Sequence, residues 1–208
     1  PLLNNSEAPL QERLKNFKSF KNDFFKDKDI IDVGCGGGRY SNALRLLKAK
    51  SVTGVDYSDD GIVTAKKNYK YKNIFFKKQN VLNLSFNQNT FDIVFCNGVM
   101  HHTTDLKKGV SELHRICKPS GYIFLYLYGS GGLFWSARKK MNRLMKLIPQ
   151  DYSQKILDLI GMPTNRFIFM DNWYVPIEGH CSHKEIYKLL NSLGVKSVEK
   201  ILKGRKTD

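Results

Sequence analysis

A glycine-rich loop flanked by two acidic residues is the part of this sequence whose residue types and spacing could do chemistry. Ile30 to Val33 read as a short β-branched strand, and four glycines follow within residues 34–38. A turn without Cβ atoms lets the backbone approach a ligand closely and present its N–H groups. Asp32 lies inside the apolar run, where a carboxylate needs a partner, and Asp56 closes the next predicted strand. This order of strand, loop, helix, strand and acid predicts a nucleotide-type binding site.

The spacing of the glycines separates two cofactor classes. A dinucleotide loop needs G-x-G-x-x-G, but Arg39 stands where its third glycine would be when the count starts at Gly34. The sequence has D-x-G-x-G-x-G instead, from Asp32 to Gly38, with Gly-Val-Asp at 54–56. Together with three later segments, this pattern resembles the class I S-adenosylmethionine-dependent methyltransferases. Those segments are residues 79–86, 91–105 and 113–128.

The resemblance covers about residues 28–128 and implies a set of cofactor-binding residues at the carboxyl ends of the first four strands. They are Asp32, Gly34, Cys35, Gly36, Asp56, Tyr57, Asn80, Val81, Asn97 and Gly98. By resemblance, Asp32 and the backbone of the loop surround the methionine part of S-adenosylmethionine, and Asp56 accepts both ribose hydroxyls. Asn80 stands where relatives often have Asp beside the adenine amino group, and its amide oxygen can accept the same hydrogen bond. The resemblance also implies that the backbone N–H of Val81 faces the adenine ring and that the Asn97–Gly98 backbone passes under the sulfonium.

Methyl transfer from a sulfonium is an in-line displacement, for which the protein supplies orientation and, for a protonated acceptor, a base. His102 and His180 are the predicted catalytic residues, and His101 and Asp105 are further candidates for the base. A structural role for the adjacent histidines, with one ring bonded to a backbone carbonyl, is the alternative.

Residues 129–181 are predicted to form a helical lid inserted after the fifth strand. Its first helix, residues 133–148, is apolar on one face and basic elsewhere, a pattern that also suits membranes or nucleic acid. A second helix, residues 152–160, precedes an aromatic run. Three residues of that run are predicted to line the acceptor site or to anchor the lid to the sheet: Asp171, Trp173 and Tyr174.

Alternating strand and helix patterns predict one α/β domain over residues 1–208, with a doubly wound, mostly parallel sheet of the Rossmann-like methyltransferase type. Residues 28–128 are its cofactor-binding core, and residues 182–208 add a C-terminal helix and strand. The predicted strands are 29–33, 51–55, 73–77, 91–96, 121–128 and 195–202. Besides the lid, the predicted helices are 8–25, 39–48, 59–69, 105–117 and 182–192.

Local signals place several helix ends and one turn. Ser58 or Asp59 is predicted to cap the helix over residues 59–69. Ser182 and Glu185 have the spacing of a capping box for the last helix. The segment Pro119–Gly121 is predicted to form the turn before the fifth strand.

The composition indicates the surroundings in which the protein works but does not identify its substrate. The formal charge is +15, and six lysines lie between residues 66 and 78 with no acid among them. Basic patches bind polyanions, but these lysines are dispersed and arginine is scarce, which favours a solvated surface. No apolar run approaches the ~20 residues that span a bilayer, and the first residues do not resemble a secretion signal. With four scattered cysteines, we expect reduced thiols, no metal site and a cytoplasmic location.

The predicted function is methyl transfer from S-adenosylmethionine to a small-molecule acceptor, with S-adenosylhomocysteine as the product. A closing lid with aromatic residues suits a compact substrate. The main alternative is a tRNA methyltransferase, since the Met-His-His segment and the tyrosine-rich fifth strand also look like those of wobble-uridine tRNA enzymes. The second alternative is a cofactor-binding protein without catalysis.

Overall fold

The structure is a computed structural model, and it describes residues 23–129, 147–159, 179 and 181–200. In chain order the elements are β1 (Asp29–Val33), α1 (Arg39–Leu46), β2 (Ser51–Asp56), α2 (Asp59–Asn68), β3 (Ile74–Lys78), β4 (Phe91–Asn97), a 3-10 turn (Met100–His102), α3 (Leu106–Ile116), β5 (Cys117–Tyr126), α4 (Gln150–Leu159) and α5 (His183–Ser192). Strand and helix alternate through β5, as the sequence predicts, except that β4 follows β3 with no helix between them. Within the described part of the chain, no helix has the length and apolar character needed to cross a bilayer.

The described strands form one sheet in the order β3-β2-β1-β4-β5. All four strand pairings are parallel, so the carboxyl ends of the strands lie along one edge. The strand order reverses between β1 and β4, and open sheets of this kind bind ligands in the crevice at such a point. The fold class predicted from the sequence is therefore confirmed.

Both faces of the sheet are covered, which is why its central strands read as continuous apolar runs. On one face, Ile30, Val52 and Phe95 pack in a cluster with residues of α1 and α2. On the other face, Ile31 and Val94 pack in a second cluster with residues of α3. These two layers hold the carboxyl ends of β1 and β4 in fixed positions.

The predicted helix caps are confirmed where the structure describes them. The Ser58 hydroxyl accepts a hydrogen bond from the Gly61 N–H at 3.1 Å and caps α2. Ser182 and Glu185 form the predicted capping box at the start of α5. The second predicted lid helix is present as α4, but most of residues 129–181, including Asp171, Trp173, Tyr174 and His180, lie outside the described residues.

The structure differs from the prediction at two segments, one at the fifth strand and one after the C-terminal helix. Pro119–Gly121 is not a separate turn, because β5 already begins at Cys117 and absorbs this segment as an irregularity. Phe91 pairs with Cys117 and Ile93 with Tyr122, so β5 has extra residues at that point.

The predicted strand over residues 195–202 is wrong for residues 195–200, the part that the structure describes. The Val195 N–H bonds the Leu190 carbonyl at 3.1 Å, and Gly194 has a φ of +77°. The backbone here satisfies the end of α5 instead of a sheet ladder.

The predicted helix over residues 8–25 is wrong for residues 23–25, and residues 8–22 lie outside the described residues. Residues 23–27 form a turn in which the Lys26 N–H bonds the Asp23 carbonyl at 3.1 Å. Asp27 has a φ of +58° and donates its N–H to the Lys48 carbonyl at 3.0 Å. These contacts redirect the chain into β1.

Candidate cofactor and active site

The glycine loop after β1 is tied to β2 by its own N–H groups. The N–H groups of Gly34 and Cys35 both donate to the Val55 carbonyl, at 2.7 and 3.0 Å. The Gly36 N–H donates to Oδ2 of Asp56 at 2.7 Å. The expectation that these three N–H groups face a ligand is therefore wrong, because the adjacent strand already uses them. What the loop offers a ligand is the close approach of a backbone without side chains.

A Cβ atom built on each glycine shows which glycines are tightly packed and which have open space beside them. A Cβ on Gly34 would lie 2.0 Å from Cγ2 of Val99. At Gly36 and Gly98, no atom of the described chain lies within 4 Å of a Cβ built on the backbone. Both also have a positive φ, 49° and 80°. Val99, which follows β4, therefore packs against the loop at Gly34. Gly36 and Gly98 leave backbone without side chains in the crevice between β1 and β4, the point at which the strand order reverses.

Asp56 stands at the end of β2 with both carboxylate oxygens already oriented. Oδ2 accepts from the Gly36 N–H and Oδ1 accepts from the Ser58 N–H at 2.8 Å. An ionised carboxylate has about four acceptor positions, so two remain for a ligand. A pair of vicinal hydroxyls fits this fixed, half-buried acceptor.

Asp32 is a buried acid, with only 2% of its surface exposed. Ser41, in the first turn of α1, donates its hydroxyl to Oδ2 of Asp32 at 2.6 Å. Burial is the main reason that the pKa of Asp32 is raised to about 7; the Ser41 hydrogen bond lowers this pKa and the charge of Asp56 raises it. The sequence predicts that Asp32 needs a partner but does not identify Ser41. The available signal was a hydroxyl just inside the helix that follows the loop.

The thiols beside Asp32 are poor nucleophiles. Burial, followed by the charge of Asp32, raises the pKa of Cys35 and of Cys96 far above the ordinary thiol value. All four cysteines of the chain are free thiols. Among the described residues, no cluster of His, Cys, Asp and Glu is arranged to hold a metal ion.

The residues predicted for the adenine side follow β3. Oδ1 of Asn80 accepts the Leu82 N–H at 2.9 Å, which leaves that oxygen one further lone pair. Val81 is half-buried and packs against the core cluster under α3. Tyr57 is 73% exposed, with Nζ of Lys78 6.0 Å from its ring centroid. Tyr57 therefore lies at the rim of the site.

Two histidines and a tyrosine meet at the carboxyl ends of β4 and β5. The buried ring of His101 stacks on Tyr128, with centroids 3.7 Å apart and planes at 22°. The half-buried ring of His102 lies 4.2 Å from that of His101. Of the two, His102 is the more accessible candidate for a base. Sequence reasoning did not single out Tyr128 as a site residue, because only the tertiary fold brings it to the histidines.

A distant segment returns to this ring cluster. The Gly179 N–H donates to the His101 carbonyl at 2.6 Å, and the Cys181 N–H donates to the Tyr128 carbonyl at 3.3 Å. Asn97, at the end of β4, pairs with Tyr126. The ends of β4 and β5 therefore meet the backbone at Gly179 and Cys181 beside the crevice.

These residues fit S-adenosylmethionine. The crevice combines bare backbone at Gly36 and Gly98, an acceptor for vicinal hydroxyls at Asp56, and a buried acid at Asp32. The group's ammonium and sulfonium charges suit an acidic site, and its ribose suits Asp56.

Comparisons with known proteins agree with this geometry. The family described as "Methyltransferase domain" matches residues 31–125. The ubiquinone biosynthesis O-methyltransferase of Coxiella burnetii is 36% identical over 101 residues, which are 48% of this chain and 43% of that protein. The tRNA U34 carboxymethyltransferase of Campylobacter curvus is 33% identical over 100 residues, which are 47% of this chain and 34% of that protein. The chain thus spans less than half the length of these curated relatives.

A solved structure supports the fold independently. The YcgJ protein of Bacillus subtilis superposes with a TM-score of 0.59, covering 91% of this chain and 68% of that one. At 17% sequence identity, this likeness concerns the fold alone.

Proposed function

We propose that the protein transfers a methyl group from S-adenosylmethionine to an acceptor, since residues 31–125 match the family described as "Methyltransferase domain". The observation that carries the proposal is the orientation of Asp56. Its carboxylate is fixed by the Gly36 and Ser58 N–H groups at the switch point of the sheet. It keeps acceptor positions for a ribose beside the bare backbone of the loop.

The residues of this chain would act mainly by orientation. Bound S-adenosylmethionine supplies a methyl group on a good leaving group, so the protein needs to align an acceptor and exclude water. Asp56 would hold the ribose, Asn80 and Val81 the adenine, and Asp32 the ammonium. Asn97 and Gly98 leave β4 beside this path, where backbone without a side chain lets the reacting centre approach.

For the acceptor, we propose a small molecule with His102 as the base when the nucleophile is protonated. His102 follows the carboxyl end of β4 with its ring half-buried, and histidine is the side chain that most often serves as a general acid or base. The likeness to a ubiquinone biosynthesis O-methyltransferase supports a small acceptor. His180, Asp171, Trp173 and Tyr174 keep their predicted roles as proposals. The cytoplasmic location is likewise a prediction.

A tRNA acceptor is the second candidate. Residues 61–91 contain six lysines and no acid, and Lys77 and Lys78 of β3 are both exposed. The likeness to a tRNA U34 carboxymethyltransferase also supports it. Bulk tRNA should then bind with an affinity that falls steeply with salt. An absence of tRNA binding at low salt would contradict this candidate.

Calorimetric titration with S-adenosylhomocysteine tests the cofactor assignment. Wild-type protein should bind it, and Asp56→Ala should bind at least 100-fold more weakly because two charge-assisted hydrogen bonds to the ribose are lost. Asp60→Ala removes an exposed acid of the same region and should bind like wild type. Equal affinity of wild type and Asp56→Ala would overturn the assignment. Binding without methyl transfer to any small molecule or tRNA would support the non-catalytic alternative.

A further inference from the structure

We infer that Arg115 and Glu112 of α3 are positioning residues for adenine recognition, acting through the loop that follows β3. Residues 79–86, named the adenine loop here, contain Asn80 and Val81. The inference rests on the proposed use of S-adenosylmethionine and assigns a cause to its selectivity. Neither α3 residue needs to contact the cofactor, because both act on the backbone that carries those that do.

The side chains of α3 grip the far end of the adenine loop. Arg115 donates from Nη1 to the Phe86 carbonyl at 2.7 Å and from Nη2 to the Leu84 carbonyl at 2.8 Å. Oε2 of Glu112 accepts the Leu84 N–H at 2.9 Å. Both backbone polar groups of Leu84 are thus held by α3. Arg115 also pairs with Glu112, with Nε 2.8 Å from Oε1.

This grip depends on the shape of arginine. The planar guanidinium holds two carbonyls and a carboxylate at once, which the single ammonium of lysine cannot do with the same geometry. The Glu112 side chain is only 18% exposed and that of Arg115 is 34% exposed. Arg115 also lowers the pKa of Glu112, so the pair stays charged at neutral pH.

The loop transmits the grip to Asn80. Two hydrogen bonds join Gln79 and Ser85 across the loop. Nε2 of Gln79 donates to the Ser85 hydroxyl, and the Ser85 N–H donates to Oε1 of Gln79, both at 2.9 Å. The Asn83 N–H donates to the Asn80 carbonyl at 3.0 Å. The Leu82 N–H donates to Oδ1 of Asn80 at 2.9 Å. Fixing residues 84–86 therefore fixes the turn that orients the Asn80 amide.

The orientation of that amide decides which base it accepts. With Oδ1 held by the Leu82 N–H, Asn80 presents its oxygen to an amino group, as adenine has. If the loop were loose, the amide could rotate and present its NH₂ to a carbonyl instead. A fixed loop therefore selects adenine against a base with oxygen at the same position.

Packing brings α3 close to the same loop. A Cβ on Gly109 of α3 would lie 2.7 Å from Sδ of Met100 and 3.5 Å from Cδ2 of Leu82. Glycine at this position therefore lets the helix, the 3-10 turn and the adenine loop meet. The Glu112–Arg115 pair sits on a helix that the fold already holds against the loop.

The test compares calorimetric affinities for S-adenosylhomocysteine and S-inosylhomocysteine, which has a carbonyl oxygen in place of the adenine amino group. Wild type should prefer S-adenosylhomocysteine about fivefold to tenfold, the range of one hydrogen bond. Arg115→Leu should reduce that preference to twofold or less. Glu112→Gln should also reduce it, and serves if Arg115→Leu does not fold.

Asp92→Asn is the matched control. Asp92 makes a comparable ion pair with Lys118 at 2.8 Å and accepts the Asp29 N–H at 2.9 Å, at the opposite end of the sheet. It should lower the melting temperature while leaving the preference at the wild-type value. The inference is overturned if Arg115→Leu keeps the wild-type preference for S-adenosylhomocysteine, or if Asp92→Asn loses as much of that preference as Arg115→Leu does. Either result would leave the proposed function standing. If wild-type protein binds neither compound, the proposed function fails as well.

Discussion

The two ends of the crevice are built in different ways. At β1 and β2, backbone N–H groups of the glycine loop bond the adjacent strand and the Asp56 carboxylate. At β4 and β5, His101 stacks on Tyr128, and the backbone at Gly179 and Cys181 returns to both. The first end uses neighbouring strands and little side-chain chemistry, whereas the second depends on rings and on a distant segment. We call the β1–β2 side the donor end, since we propose that the methyl donor binds there, and the β4–β5 side the acceptor end. The donor end should therefore be rigid and the acceptor end adaptable.

The largest expected effect follows from breaking the donor end at Gly34. Alanine there would place its Cβ 2.0 Å from Val99 and would require a φ of +77°. We expect Gly34→Ala to lower the free energy of unfolding by about 3 kcal/mol and to abolish S-adenosylhomocysteine binding. Urea unfolding and calorimetry measure the two effects.

Gly36→Ala is the control for this change, because it also requires a positive φ but has open space around the added methyl. Its unfolding free energy should fall by only about 1 kcal/mol. S-adenosylhomocysteine affinity should still fall at least tenfold, since the methyl enters the crevice. Equal stability of the two variants would show that the donor end is not braced by Val99.

The next effect concerns pH and Asp32. Its pKa of about 7 means that the carboxyl is mostly protonated at pH 6 and mostly ionised at pH 8. The cofactor ammonium favours the ionised form, so S-adenosylhomocysteine affinity should rise about tenfold over that interval. Asp32→Asn should remove this dependence. An affinity that is independent of pH in wild type would contradict a contact between Asp32 and the ammonium.

Asp32 should affect the ligand-free protein with the opposite sign. The folded pKa lies above the ordinary value of 3.8, so the folded state binds more protons between these two values. The contribution of Asp32 to stability is therefore complete below about pH 4 and is lost as pH rises through 7. Thermal unfolding of wild type and Asp32→Asn at pH 5 and pH 8 measures the difference.

The smallest effect sharpens the comparison at the acceptor end. Tyr128→Ala removes the stack on His101, whose carbonyl accepts the Gly179 N–H. Amide exchange at Gly179, followed by NMR, should accelerate about fivefold, while S-adenosylhomocysteine affinity stays within twofold. Tyr122→Ala, on the exposed part of β5, should change neither. A matching loss of cofactor affinity in Tyr128→Ala would mean that the two ends are one rigid unit.

Sequence reasoning was most successful where the structure depends on local signals. The strand and helix order, the Ser58 cap and the Ser182–Glu185 capping box follow from residues within a few positions of one another. It was wrong where a backbone group had two possible partners. The loop N–H groups bond β2 instead of facing a ligand, and Val195 ends α5 instead of starting a strand.

The sequence by itself was enough to predict the class of methyl donor, because glycine spacing, Asp32 and Asp56 are local properties of two strand ends. Only the tertiary structure decided how these groups are held: Ser41 on Asp32, Arg115 and Glu112 on the adenine loop, and Tyr128 on His101. The physical reason is that hydrogen bonds and ring contacts between distant residues depend on chain packing, which no spacing in the sequence encodes. The acceptor end consists mostly of such contacts, and its chemistry is therefore harder to predict from the sequence.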